Sequence, residues 1–568
     1  MGAGRAPAWH LCFVFCVSFV LLFSSMDRTV TQYDEGLVLF GAVRVMNGDV
    51  PYRDFYANYG PAQFYVLAGL FKAFGPSVLV ARIWDLLVRA AISVVVYAIF
   101  ARIGSPRMAA IASAISVAWL SVVGYMYYEY PAIPCLLLAL LSAYLVLPVY
   151  CGRSGRMPLL LSGACVGAAA LFRHDVGLMA AVAHIAALIV FHFQARIEGL
   201  DRRSQLLASI SALVAGILLV AVPVWSLVLM IASPTEVIRD LVLIPMETYA
   251  RMRSLPFPSL RDVGVDLLHL RLKSLTEGAV FLPPVAALLG AVTALRFAGG
   301  RSSGTGMVAK TTTSDCCRRG ALLLLASFSL LFFFKGVVRV SLIHMTLAIV
   351  PALLILLICT VWLWTSSNRF TRLLAVLIGA YTVLVSVVPV RSDYRVLMSN
   401  LRWVSQPARA ASECHFESGL DRLGCFTLDS NELDAIRFVQ ERTTNDERIF
   451  VGLTRHDRIF VNDVLFYFVS KRLSATKWHH FDPGVQTSRE IQSEMIAELE
   501  RRQTRVIVLN ADWENLWEPN DSSISSGVTI LDEFIRTHYG LAATFGKTHV
   551  YISSVEGASS SKSSGVMP

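Results

Sequence analysis

A polytopic α-helical membrane protein ending in a small α/β domain is the fold class this chain predicts. Three observations predict it. Apolar residues make up 55% of the 568 and charged residues only 16%, with a mean hydropathy of +0.57, which is more apolar surface than a soluble core needs. The apolar residues gather in long runs separated by short polar connections. After residue 390 the pattern changes to short alternating segments that cannot cross a bilayer. A formal charge of +9 would suggest nucleic acid as the partner of a soluble chain. Here the Lys and Arg residues cluster in alternate loops, so the charge reads as membrane orientation and nucleic acid is excluded.

In chain order, the run 11–23 follows Arg5 and reads as the first span, because Ser24-Ser25-Met26 is a poor cleavage site for a secretory signal. Apolar runs at 83–103, 108–126, 131–150, 158–172, 177–193, 205–232, 278–297, 320–334, 341–363 and 371–390 bring the expected number of spans to about eleven. Alternate loops are basic: Arg102 and Arg107, Arg153 and Arg156, Arg196 to Arg203, Arg296 to Arg319, and Arg369 with Arg372. This alternation places the N-terminus in the cytoplasm of a multi-pass inner-membrane protein and the chain after 390 on the external, periplasmic side.

The organisation is then a membrane domain over 1–390, whose first external loop is 27–82, an external α/β domain over 391–555, and a disordered low-complexity tail over 556–568. In the external domain ERIFVGL and TRVIVLNA read as buried strands. NELDAIRFVQER, SREIQSEMIAELERR and TILDEFIRTHY read as amphipathic helices, and strands alternating with helices suggest an α/β arrangement. The Gly/Ser/Thr-rich segment 298–319 reads as a flexible cytoplasmic loop. Cys316 and Cys317 should stay reduced on the inner side, while Cys414 and Cys425, eleven apart on the outer side, leave a disulfide between them open.

Two motifs are set aside. Gly546-Lys547-Thr548 ends like a phosphate loop but lacks the upstream glycine and runs into a strand, THVYIS, instead of a helix. Trp478-His479-His480-Phe481-Asp482-Pro483-Gly484 carries two histidines and a carboxylate, yet adjacent side chains diverge, so it reads as a packed turn and not as a metal site.

The polar stretch TQYDEGLVLFGAVRVMNGDVPYRDFYANYGP, from Thr31 to Pro61, is a long loop of carboxylates and aromatics at a membrane surface, and is the expected active site. Charges near the outer ends of the spans add to it: Arg82 with Asp85, Glu129, Arg173-His174-Asp175, and Lys335, Arg339 and His344 in FFFKGVVRVSLIH. Three cations between two apolar spans repel one another unless an anion sits among them, and a phosphate is the natural anion. The expected phosphate ligands are Arg53, Arg173, Lys335, Arg339 and His344. Chemistry on the external side has no nucleotide sugar to draw on, so a donor would arrive carried by a lipid.

The acidic pair Asp34-Glu35 after the first span, the following GDVPYRDFYANYGP, and Arg339 with His344 late in the span region resemble the bacterial multi-spanning C-type glycosyltransferases. That group includes the protein mannosyltransferases and the lipid A aminoarabinose transferases. The resemblance covers residues 10–390 in architecture. It implies the C-type glycosyltransferase fold, interfacial helices in the first external loop (GLVLFGAVRVMN and AQFYVLAGLFKAF), and a cavity for a polyprenyl-phosphate sugar donor. It implies Asp34 as the catalytic base with Glu35 as its neighbour. Tyr33, Tyr52, Asp54 and Tyr59 are then expected around the substrate and membrane lipid around the spans. The acceptor is an unidentified hydroxyl compound. No second acidic metal motif can be placed, and a divalent cation stays open. A lipid-linked sugar transporter would carry polar residues through several spans, whereas 205–222 is nearly bare. An oligosaccharide polymerase or ligase would concentrate its arginines in a long late loop, and a noncatalytic scaffold gives no reason for the acidic pair.

Overall fold

A computed structural model describes residues 6–124, 128–152, 155–197, 203–259, 261, 278–298, 313–366, 368–387, 390–405, 414–415 and 419–554. The tail 556–568 and the part of the expected cytoplasmic loop over 299–312 lie outside the described residues.

Each of the eleven apolar runs is helical. Eight helices are long and apolar enough to cross a membrane: α4 (Val78–Ile103), α6 (Ala132–Tyr150), α8 (His174–Ile197), α9 (Arg203–Ile231), α10 (Leu282–Ala298, preceded by one 3-10 turn), α11 (Thr313–Gly336), α12 (Thr346–Trp364) and α13 (Arg369–Val387). The other three are α1 (Ala8–Ser24), α5 (Pro106–Gly124) and α7 (Met157–Phe172), of which α1 and α7 are shorter apolar helices. The protein is a multi-pass membrane protein. Among the described residues, eight helices have the length and composition of a span, so the expected count of eleven is met in helices but not in helices of spanning length and composition.

Two helices of the first loop, α2 (Asp34–Met46) and α3 (Pro61–Phe74), form where the apolar spacing predicts. The setting of α2 differs from a helix lying on lipid, while α3 keeps Tyr65 and Phe74 exposed. Residues 35 to 44 of α2 are all buried, because α2 packs on α3 below and on the C-terminal domain above. A Cβ on Gly36 would meet the backbone nitrogen of Leu465 at 2.4 Å, so only glycine lets α2 approach this closely.

After α13 the helix α14 (Val390–Ser405) packs against α1 and α5 instead of joining the sheet. Asn400 Nδ2 donates to the carbonyls of Ser24 and Met26, each at 2.9 Å. The C-terminal domain is built on a five-stranded sheet of order β2-β1-β3-β5-β4. Its strands are β1 (Arg448–Leu453), β2 (Leu473–Ser474), β3 (Val506–Asn510), β4 (Tyr539–Phe545) and β5 (Thr548–Ser553). β1 runs parallel to β2 and β3, and the β4–β5 hairpin closes the other edge antiparallel to β3.

Alternation along the strands divides the core. Ile449, Val451, Val506 and Val508 join one apolar cluster with Leu433, Ile436 and Val439 of α15 (Ser430–Arg442), the short helix α16 (Leu465–Ser470), and Leu37 to Val43 of α2. Phe450, Ile507 and Leu509 face the other way, onto α17 (Arg489–Arg501) and α18 (Ile530–His538). The first loop and the C-terminal domain therefore share one core. Cys414 and Cys425 are bonded. So are Cys151 and Cys317, a correction to the reduced Cys317 expected from its position: the end of α6 brings Cys151 beside α11, a neighbour that spacing along the chain does not reveal.

Candidate active site

The start of α2 is fixed from both sides. Thr31 Oγ1 accepts from Glu35 N at 3.1 Å, and Glu35 Oε2 accepts from Thr31 N at 2.9 Å, a reciprocal cap on the helix start. Glu35 also takes two hydrogen bonds of 2.8 Å from Arg82 on α4, both side chains being fully buried. Arg82 further donates to the carbonyls of Asp27 and Thr29, and its guanidinium lies over Tyr128 and Phe426. Beside it, Asp85 pairs with Arg89.

Glu35 is thus committed to a buried ion pair that anchors the loop, and it does not line the cavity that Asp34 faces. The expected neighbour of Asp34 is placed in an ion pair with Arg82 and not on the cavity. Asp34, one residue earlier, points the other way. It lines a cavity of about 830 Å³ between the first loop, the span connections and the C-terminal domain. Its carboxyl makes no hydrogen bond or ion pair with the described residues and does not cap α2, whose N-cap residue Tyr33 lacks a side-chain cap. Burial pushes it up to about 6, against the pull of Arg253 and Arg339.

Arg253 and Arg339 line the same cavity, with Tyr33 and His344. Their segments are paired: Leu255 bridges to Arg339, and Arg339 Nη1 donates to the Arg253 carbonyl at 3.1 Å. A carboxylate from the C-terminal domain holds each cation. Arg339 meets Glu518 in a two-pronged contact of 2.9 and 2.6 Å, and Arg253 meets Asp482 at 2.6 Å. Asp482 is fully buried and also receives the hydroxyls of Tyr56 at 2.9 Å, Tyr33 at 3.2 Å and Tyr249 at 3.2 Å, and Asn58 Nδ2 at 3.2 Å. Burial opposes its charge, yet Arg253, His480 and the hydroxyls hold its carboxyl below the usual range.

His344 is kept neutral at pH 7, its imidazole held well below the ordinary value by burial and by Lys335, Arg339, Arg253 and Arg173. Its Nδ1 is 2.6 Å from Ser341 Oγ, and its ring stands edge-on to Tyr130 at 6.1 Å. Behind it lie Lys335, 6.0 Å from the Tyr130 ring, and Arg173, which pairs with Asp175 at 2.9 Å and lies 5.5 Å from the Tyr59 ring. The structure therefore gathers Asp34, Tyr33, Arg339 and His344 at the cavity, with Arg173, Lys335 and Tyr59 in the layer behind.

Three other expected residues stand apart. Arg53 is half exposed and pairs with its neighbour Asp54 at 2.7 Å, so it is no cavity cation. Asp54 is tied up by Arg53 and by the Val50 amide at 2.7 Å. Tyr52 is buried with a positive φ of 71°, and its hydroxyl donates to the Tyr59 carbonyl at 2.7 Å. All three fasten the turn between α2 and α3. Arg253 and Asp482 were missed as site residues. Arg253 lies in a polar stretch, 248–261, with no apolar period to mark it, and Asp482 looked like part of a packed turn. His479 and His480 are buried with their ring centroids 5.1 Å apart at 71°. Among the described residues no three His, Cys, Asp or Glu side chains are placed to hold a metal ion.

Membrane helices carrying an interfacial loop beneath a small sheet domain are an arrangement also found among solved structures, and the fold of this chain is that of the C-type glycosyltransferases. Its similarity is to ArnT from Cupriavidus metallidurans. The crystal structure bound to undecaprenyl phosphate aligns with a TM-score of 0.53 at 15% identity, covering 96% of this chain and 98% of ArnT. The apo structure aligns with a TM-score of 0.55 at 14% identity, covering 95% and 97%. No family model matches the sequence, and no curated protein matches it. At this identity the likeness is one of fold.

Proposed function

We propose that this chain is a membrane glycosyltransferase that moves a sugar from a polyprenyl-phosphate donor to a hydroxyl acceptor, on the membrane face that carries the C-terminal domain. That face is external, by the alternation of basic loops. The observation that carries the reading is one cavity holding an unpaired carboxylate, Asp34, opposite two arginines. Asp34 takes the proton of the acceptor hydroxyl as its oxygen bonds to the anomeric carbon. The bond from that carbon to the phosphate oxygen breaks, and its electron pair leaves with the polyprenyl phosphate. Arg339 and Arg253 balance the charge gathering on the departing phosphate, and neutral His344 donates a hydrogen bond to it. Lys335 and Arg173 add positive potential from the layer behind. ArnT, which shares the fold, was crystallised bound to undecaprenyl phosphate, and a lipid donor is the source of activated sugar on an external face.

The test is purified protein in detergent with a panel of polyprenyl-phosphate sugars, followed by release of polyprenyl phosphate. Asp34→Asn keeps the volume and removes the proton acceptor, so turnover falls by about 10²-fold or more while donor binding persists. An active Asp34→Asn protein would refute the assignment of the base.

A further inference from the structure

Building on the transferase reading, we infer that the wall of the cavity supplied by the C-terminal domain is the acceptor subsite, and that the acceptor is a neutral carbohydrate. The cations Arg253 and Arg339 lie on the wall formed by the span connections. The opposite wall lies at the carboxyl end of the parallel strands β1 and β3, the edge where open α/β sheets hold ligands. Three segments converge there. Asp512 and Trp513 follow β3 directly, the Gly546–Lys547 turn joins β4 to β5, and α15 begins with Asn431 and Glu432. They are locked together. Ala511 N donates to the Lys547 carbonyl at 3.0 Å, and Gly546, at φ +57°, lies so close to Asn431 that a Cβ would be 3.0 Å from its side-chain nitrogen. The Gly-Lys-Thr tripeptide, no phosphate loop, thus serves as cavity wall.

The chemistry of this wall selects among hydroxyl acceptors. Trp513 is half-buried and offers an apolar ring with a polar N–H edge, suited to the C–H face of a sugar. Asp429 and Asp512 offer carboxylate oxygens that accept hydrogen bonds from hydroxyls. Glu432 is 3% exposed, takes Gln32 Nε2 on Oε2 at 2.6 Å, and is held well above the usual carboxylate range by burial and by the adjoining carboxyl of Asp463, so it stands neutral at the back of this wall. Against the two aspartates stands one lysine, Lys547, itself paired with Asp512 at 3.3 Å. Such a wall carries net negative charge, which opposes a phosphorylated acceptor, and its side chains Phe460, Trp513 and Phe545 offer ring faces suited to the C–H faces of sugars. It fits a neutral, polyhydroxylated molecule whose free hydroxyl reaches Asp34 from the side opposite the donor phosphate.

The experiment uses the full-length protein in detergent, with short neutral oligosaccharides of glucose, galactose, mannose and arabinose as probes, read by saturation-transfer NMR. Undecaprenyl phosphate binding is measured on the same samples. At least one oligosaccharide binds. Its affinity falls about tenfold or more in Trp513→Ala and in Asp512→Asn, an exposed position where misfolding is not at issue, and holds in Trp517→Ala, which changes an exposed tryptophan outside the cavity. Undecaprenyl phosphate binding is unchanged in all three. If no oligosaccharide binds, if binding survives both cavity substitutions, or if singly phosphorylated versions bind more tightly, the inference is overturned while the donor reading stands. Oligosaccharide binding without undecaprenyl phosphate binding would support the subsite and defeat the donor reading.

Discussion

At the scale of single residues, two adjacent carboxylates have opposite fates. Glu35 is neutralised by Arg82 in a fully buried pair, and Asp34 faces a cavity with no hydrogen bond or ion pair to its carboxyl among the described residues. With its carboxyl near 6, Asp34 is ionised at neutral pH and protonated in mild acid. Turnover should therefore hold above pH 7 and fall tenfold for each unit below about pH 6, and this limb of the profile should vanish in Asp34→Asn. A flat kcat from pH 5 to 8 would remove Asp34 as the base. Arg339→Ala should weaken donor binding by about 1.5–3 kcal/mol, the range of a charge-assisted contact. Glu518→Gln should do the reverse and tighten it by up to about fivefold, because Glu518 now occupies the guanidinium that the phosphate needs. Equal donor affinity in all three proteins, measured by equilibrium binding, would return Arg339 to a structural role. Asp34, Arg339 and His344 were legible because charge beside a membrane span is rare and stands out. Arg253 and Asp482 were not, since one lies in an unpatterned connection and the other becomes a hub only through partners as far as 449 residues away.

At the scale of elements, strands and helices followed their periods closely: each segment of the C-terminal region read as strand or helix is one. The setting of α2 did not follow, because an apolar stripe records that a face is covered and not whether lipid or protein covers it. Here it is protein. Gly36→Ala should force α2 away from the backbone of Leu465 and lower stability by about 1–3 kcal/mol, the usual cost of overpacking. An unchanged melting temperature would mean that α2 and α16 do not meet so closely. The disulfide between α6 and α11 was equally hidden, since no spacing rule links residues 166 apart.

At the scale of the whole molecule, the order of hydropathy along the chain shows a membrane part followed by a sheet domain. It does not show that the two build one site, with Asp482 and Glu518 reaching back to hold both cavity arginines. The basic loops predict which way the assembly faces, and a reporter fused after residue 400 should be active only on the external side. Activity in the cytoplasm would invert the topology. The shared core also has a consequence in time. Tyr33 meets Asp482 across 449 residues, and at about 5–20 residues per second the ribosome delivers Asp482 about 20–90 seconds after Tyr33. Through that interval every span emerges while the apolar stripe of α2 waits uncovered and the cavity lacks a roof. The membrane part is thus made well before its cavity is roofed, and the last third of the chain, from residue 391, completes the shared core.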